Sequence, residues 1–141
     1  MVSTRGRYAL RVMLDLAERD NGEYVPLSEI AARQGISIKY LEIIIKALVR
    51  SGLLNGHRGK GGGYRLTRPP EGYTVGEILE LTEGPLNTVA CLSPTADPCP
   101  NRGSCPTLPM WERFDKMTHD FFYGVTLHDL LNERRDMIIS P

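Results

Sequence analysis

The sequence predicts a mainly α-helical chain with a small β-hairpin, a winged helix-turn-helix followed by a long C-terminal helix. Three stretches predict it. From Ser37 to Gly52, Ile38, Leu41, Ile45, Leu48 and Val49 recur at helical spacing, while Lys39, Tyr40, Glu42, Lys46 and Arg50 fall on the other face. Leu53-Leu54-Asn55 and Tyr64-Arg65-Leu66 then flank His57-Arg58-Gly59-Lys60-Gly61-Gly62-Gly63, which reads as a hairpin with a thin, basic tip. Near the C-terminus Met110, Phe114, Met117 and Phe121 are spaced by four, three and four residues, one stripe of a long helix.

Each element has its own signals. Ser3 or Thr4 can cap a first helix whose stripe is Tyr8, Ala9, Val12, Met13, Leu16 and Ala17, with an end near Asn21-Gly22. Pro26-Leu27-Ser28-Glu29 opens a second helix through Gln34, with Ile30 and Ala31 inward and Gly35 ending it. Ser37 caps the third helix and Gly52 stops it. Two short helices joined by a tight glycine turn are the helix-turn-helix layout. Arg68-Pro69-Pro70-Glu71-Gly72 is a break, after which Thr74 caps a helix from Val75 to Leu81 that stops at Gly84-Pro85. Leu86 to Pro106 has no sustained period. A helix from about Thr107 to Tyr123 follows, and Thr126 caps a last short one, Leu127 to Arg134, packed through Leu130 and Leu131. The expected segments are 1–70, a winged helix-turn-helix unit; 71–106, a linking helix and cysteine-bearing loop; and 107–141, a dimerisation helix with a C-terminal helix.

Composition narrows the class. A length of 141 residues allows one domain, or one with an appendage. No apolar run approaches the roughly 18 residues of a membrane span, and the basic N-terminus lacks a signal-peptide core, so a cytoplasmic protein is expected. The net charge is zero, but its distribution is not even. Residues 1–70 hold twelve Lys or Arg against six Asp or Glu, a balance of +6; residues 71–141 hold five against eleven, a balance of −6. The front half therefore suits a polyanion.

The third helix and hairpin fit that polyanion as a duplex. A helix can present its N-terminal polar residues to base edges in the major groove. A glycine-rich tip can lie close to phosphates, with Arg58 and Lys60 supplying charge. Arg5, Arg7 and Arg11 at the start of the first helix oppose its dipole, and phosphate contact is one reason for them; ordinary surface arginines are the other. A nucleotide-binding loop is excluded. Gly61 follows Gly59-Lys60 where a P-loop needs Ser or Thr, Leu54 stands where it needs glycine, and Tyr64 breaks a dinucleotide fingerprint. No Ser/His/Asp or paired-carboxylate arrangement points to an enzyme.

All three cysteines, Cys91, Cys99 and Cys105, fall in the irregular loop. An odd number cannot close into intrachain disulfides, and such clustering in a cytosolic chain points to metal or redox chemistry. Zinc is disfavoured because short C-x2-4-C pairs are absent. A thiol-oxidation switch remains open.

With these pieces placed, the chain closely resembles the iron–sulfur-cluster regulators (IscR type) of the Rrf-two family of bacterial winged-helix transcription factors. The resemblance rests on Thr4-Arg5-Gly6-Arg7-Tyr8-Ala9, on Gln34 to Glu42, on Arg58 to Tyr64, on Val75-Gly76-Glu77-Ile78, and on a triple-cysteine loop before a Trp-bearing helix. It implies a homodimer with crossed C-terminal helices, bound to a near-palindromic operator in double-stranded DNA. It implies DNA reading by Ser37, Lys39, Tyr40 and Glu42 on the helix and Arg58, Lys60 and Gly61 on the wing; Thr4, Arg5, Arg7 and Ser28 complete the candidate DNA-binding set. Glu42 can accept from a cytosine amino group but otherwise repels DNA, so it can filter sequences.

The resemblance also implies an iron–sulfur cluster on Cys91, Cys99 and Cys105, with [2Fe–2S] favoured over [4Fe–4S]. Thiolates are the usual cluster ligands. The spacing here is Cys91-x7-Cys99-x5-Cys105, whereas the IscR pattern has five residues in each gap and then a histidine. Leu108 stands at that histidine's position, so the fourth ligand is unassigned. His119 lies roughly 20 Å further along its helix. Asp15 or Glu18 of a partner's first helix, Thr107, Asp97 or a small exogenous molecule remain candidates. The expected function is a dimeric transcriptional regulator sensing cluster, redox or nitric oxide status. The alternatives are a cluster-free regulator of the same family, answering to a partner protein or thiol oxidation, and a redox or electron-transfer protein. The last has no use for the basic helix and wing.

Overall fold

The computed structural model describes residues 2–139. The expected segments 1–70 and 107–141 thus each include terminal residues outside the described ones. Six helices, α1 (Thr4–Glu18), α2 (Leu27–Gln34), α3 (Ile38–Arg50), α4 (Val75–Glu83), α5 (Leu108–Tyr123) and α6 (Leu127–Ile139), accompany strands β1 (Leu54–His57) and β2 (Gly63–Leu66).

The caps explain the boundaries. The Ser3 hydroxyl accepts from the Gly6 amide, Ser37 from Tyr40 and Thr74 from Glu77. Gly35 takes a left-handed φ of 64°, which turns the chain between α2 and α3. At α6, Thr126 accepts from the Asp129 amide at 3.1 Å while Asp129 accepts from the Thr126 amide at 2.9 Å. Both groups serve orphan helix donors reciprocally.

Three expectations need correction. First, α1 ends at Glu18, short of Asn21-Gly22, because the Arg19 amide bonds back to Leu16 and the Asn21 side chain accepts from the Glu23 amide in a turn. Second, α6 continues past Arg134 to Ile139, through a stretch without Gly or Pro to stop it. Third, α3 buries Leu41, Ile44, Ile45 and Leu48, whereas Ile38 is 49% exposed. The inward stripe is centred one position away from Ile38, which sits in the first turn.

A single core joins α1, α2, α3, the hairpin, α4 and α6, with Val12, Met13, Ile30, Leu41, Leu48, Ile78 and Leu127 at its centre. β1 and β2 pair antiparallel from Leu54–Leu66 to His57–Gly63. Val25 adds a short third rung, exchanging backbone bonds of 2.9 and 2.8 Å with Tyr64. Gly63 makes this possible, since a Cβ there would lie 2.2 Å from the Val25 carbonyl oxygen.

A charged cluster pins α1 to the helix-turn-helix. Asp15 is only 2% exposed. It accepts from Arg33 Nε and Nη2 at 3.0 and 2.9 Å, from Gln34 Nε2 at 2.9 Å and from Arg19 Nη1 at 3.3 Å. Burial pushes the Asp15 carboxyl upward, but the bonds from Arg33 and Gln34 and the nearby arginine charges outweigh it and hold it below the usual carboxylate range. A carboxylate with a depressed native pKa adds stability that is complete above the unfolded-chain pKa and is lost as pH falls through the native one. Asp15→Asn should therefore lower stability at neutral pH by on the order of 2–3 kcal/mol, less than a fully buried pair because Arg33 still reaches water. Denaturant titrations from pH 7 downward check this. The gap between wild type and variant should close below about pH 4, and a pH-independent gap would contradict the account.

Candidate nucleic-acid interface and cysteine loop

The wing tip is exposed. Gly59 and Gly61 have φ of 89° and 74°, which only glycine adopts readily, and the Gly62 amide closes the turn on the Gly59 carbonyl at 3.0 Å. Arg58, Lys60 and Gly61 point outward from this turn as exposed residues. Ser37, Lys39 and Glu42 are exposed on the start of α3, and Ser28 at the start of α2. Tyr40 is half-buried, meeting Tyr8 of α1 edge-on with ring centroids 5.8 Å apart.

The structure groups these residues into two hollows. Thr4, Arg5 and Tyr40 line one, with Ser3, Thr82 and Glu83. Glu42 and Arg58 line a larger groove between α3 and the wing, together with Lys46, Arg50 and His57. Lys46, Arg50 and His57 are the members that sequence reasoning did not place in a site. The signal was present, because Glu42, Lys46 and Arg50 follow one another at intervals of four and must share a helix face. Arg7 is exposed beside the first hollow's residues in sequence, and Arg11 is engaged with Gln34, its Nε donating to Gln34 Oε1 at 3.1 Å.

The start of α1 is built around a close approach. The α1 first turn holds no acid, and Glu83 of α4 stands in for one. Its Oε1 accepts from the Ser3 amide at 2.9 Å and the Gly6 amide at 3.2 Å. A Cβ at Gly6 would come within 2.3 Å of that oxygen, so the glycine of the Thr4 to Ala9 motif makes room for the carboxylate. Gly76 does the same for an aromatic ring. A Cβ there would lie 2.3 Å from Tyr123, whose hydroxyl donates to Glu80 at 2.5 Å. Burial, with the Glu80 carboxylate beside it, pushes the Tyr123 phenol up to about 12.

Behind this lies the cysteine loop, a series of short backbone turns between α4 and α5. Asp115 of α5 pins its entry, accepting from the Thr88 amide at 2.7 Å and from Asn87 Nδ2 at 3.1 Å. Arg102 reaches Glu112 of α5 at 3.7 Å. Cys91, Cys99 and Cys105 are half-buried free thiols. All three line one small hollow with Arg102 and Leu108. Cys105 Sγ lies 3.5 Å from Thr107 Oγ1, and that bond, with backbone bonds, lowers the Cys105 thiol pKa. Three thiols suit an iron–sulfur cluster, since thiolates are its usual ligands, while Leu108 in the lining contributes no fourth donor. Among the described residues, however, no three His, Cys, Asp or Glu groups stand together closely enough to hold a metal ion.

The fourth-ligand candidates narrow. Asp15 is committed to Arg33, Gln34 and Arg19, and Glu18 pairs with Arg134 and Arg19. Neither is a free donor for a partner's loop. His119 stacks on Tyr123 with centroids 4.4 Å apart, well down α5.

None of the residues of α5 is buried. Met110, Phe114, Met117 and Phe121 are 45%, 41%, 68% and 66% exposed, so the predicted stripe does not pack on its own chain. Among the described residues, no helix is long and apolar enough to cross a membrane.

A short helix-turn-helix with an exposed basic wing defines a winged-helix DNA-binding protein of the transcription-regulator class. Residues 2–133 match the model of the Rrf2 family, described as iron-dependent transcriptional regulators, and the chain belongs to that family. It is 31% identical to the transcriptional regulator IscR of Erwinia tasmaniensis over 139 residues, which is 99% of this chain and 83% of the relative. The structure of IscR from T. potens superposes with a TM-score of 0.79 at 33% identity, covering 100% of this chain and 93% of the other. CymR, the global cysteine regulator of B. subtilis, superposes with a TM-score of 0.77 at 30% identity, covering 94% and 97%. Recognition as an IscR-like member of this family and the winged-helix fold both hold.

Proposed function

We propose that the chain acts in the cytoplasm as a homodimeric regulator whose DNA affinity or site choice responds to an iron–sulfur cluster on Cys91, Cys99 and Cys105. One observation carries the reading: three free thiols, the first and last separated by 13 residues of sequence, line the same hollow directly before α5. The bound cluster would supply a redox-active, oxygen- and nitric-oxide-reactive group there, [2Fe–2S] before [4Fe–4S]. Leu108 in place of a fourth donor leaves one position to Thr107, Asp97 or an exogenous ligand. Such a site suits a cluster that is readily lost or attacked.

Residues 1–70 serve as the DNA-binding unit, 71–106 as the linking helix and cluster loop, and 107–141 as the dimer unit. The apolar stripe of α5 supports dimerisation, since four large side chains on one helix face are otherwise left to water. Two protomers would place two wings on the half-sites of a near-palindromic operator. Thr4, Arg5, Arg7, Ser28, Arg58, Lys60 and Gly61 would hold the backbone, while Ser37, Lys39, Tyr40 and Glu42 face base edges.

A second reading is a cluster-free regulator that answers to thiol oxidation. It is favoured by the separation of the three thiols, which form no ligating group as they stand, and by the likeness to CymR of Staphylococcus aureus, solved in an oxidised form. Anaerobic purification separates the two. The cluster reading predicts iron, visible absorption and a paramagnetic signal on reduction, all lost in Cys99→Ala. Colourless, iron-free protein with three reduced thiols would favour the second.

The wing assignment has its own test. Lys60→Ala should weaken binding to every duplex sequence and reduce the salt slope of log Kd by roughly one. Binding and salt dependence identical to wild type would remove Lys60 from the interface.

A further inference from the structure

The exposed crest of α3 carries a residue that the charge pattern does not explain. Leu41, Ile44, Ile45 and Leu48 face the core, and Ile43 stands opposite them with 52% of its surface exposed. Lys39 lies one turn before it and Lys46 one turn after it, both exposed, with Arg50 a further turn on. On one flank Tyr40 leans on Tyr8 and borders the hollow that holds Thr4 and Arg5. On the other flank Glu42, Lys46 and Arg50 open into the groove shared with Arg58 of the wing. Ile43 is therefore an apolar, β-branched side chain in the middle of a polar and cationic surface. A β-branched residue gains little from an exposed helix position.

Resting on the DNA-binding reading above, we infer that Ile43 is a specificity-determining residue that packs against the 5-methyl group of a thymine in the major groove. The chemistry is selective. The thymine methyl is the one apolar feature a base pair shows in that groove, and it is read by apolar side chains. Charge complementarity fixes the occupant: Arg5 on one flank and Lys46, Arg50 and Arg58 on the other hold phosphates, which leaves the isoleucine beside Lys39 over base edges. Nothing in the contact is a hydrogen bond, so it discriminates by burial alone. Burying one methyl-sized group is worth roughly fourfold in affinity, from about 0.8 kcal/mol.

The test uses the full chain, purified anaerobically. A binding sequence is first selected from a pool of random duplexes. Each thymine of that sequence is then replaced by uracil, which removes the methyl and nothing else. Wild type should lose roughly fourfold at each thymine of one symmetry-related pair, and Ile43→Ala, at an exposed position, should bind the thymine and uracil versions of that pair equally. Equal binding of wild type to every uracil-substituted duplex would overturn the inference and mark Ile43 as an ordinary surface residue. So would Ile43→Ala that keeps the wild-type loss. Both results leave the DNA-binding reading intact, whereas a failure to select any sequence would overturn that reading as well.

Discussion

Tyr73 is the joint on which the two halves of the molecule rest. It is fully buried, in the short segment between β2 and α4. Its hydroxyl donates to the Leu53 carbonyl at 2.8 Å and accepts from the Thr67 and Arg68 amides at 2.8 and 3.1 Å. The phenol thus bonds backbone groups at both ends of the hairpin, the Leu53 carbonyl before β1 and the Thr67 and Arg68 amides after β2. Arg68 lies over the ring at 4.6 Å and grips Glu77 of α4 with two bonds of 3.0 and 2.7 Å. The Tyr73 carbonyl accepts from the Leu127 amide at the start of α6. The wing, α4 and α6 meet at this residue, so neither half can turn freely against the other.

From that joint a continuous set of contacts runs from the candidate DNA-binding surface to the entry of the cysteine loop. Glu83 ties the end of α4 to the first turn of α1, where Thr4 and Arg5 stand. Gly76 lets Tyr123 of α5 lie flat on α4. Asp115, two turns back along α5, holds the entry to the cysteine loop. Under the proposed function, such contiguity would give a cluster-dependent rearrangement of the loop a route to α1 and to the spacing of two wings across a dimer. Coupling of this kind is reciprocal: what the cluster does to DNA affinity, DNA does to cluster retention.

Much of this was legible in the sequence, for a physical reason. Ser37, Thr74, Thr126 and Gly35 act through local geometry, and local geometry is written in neighbouring residues. The hairpin and its basic tip were equally local, as was the stripe of α5. The sequence could not reveal contacts between distant residues. Asp15 read as one more carboxylate on α1, and only the fold brings Arg33 and Gln34 around it. Gly6 and Gly76 had no evident role until Glu83 and Tyr123 were seen to occupy the space a Cβ would fill. Tyr73 sat in a proline-rich break without any period. At the candidate site, the exposed polar face of α3 could be read from helix spacing and the candidate DNA-binding residues followed from the family resemblance, but the groove that joins Glu42 to Arg58 needed the hairpin's placement. The gathering of three thiols and Leu108 around one hollow likewise depends on how Asp115 and Arg102 tether the loop.

The proposed function requires one surface to report the state of the other. The most direct measurement is the affinity of cluster-loaded and cluster-free protein for one selected duplex, under anaerobic conditions and at the same salt. Coupling of ordinary allosteric size predicts affinities that differ by roughly 5- to 150-fold. Equal affinities for the two forms, across duplexes selected with each, would contradict the account.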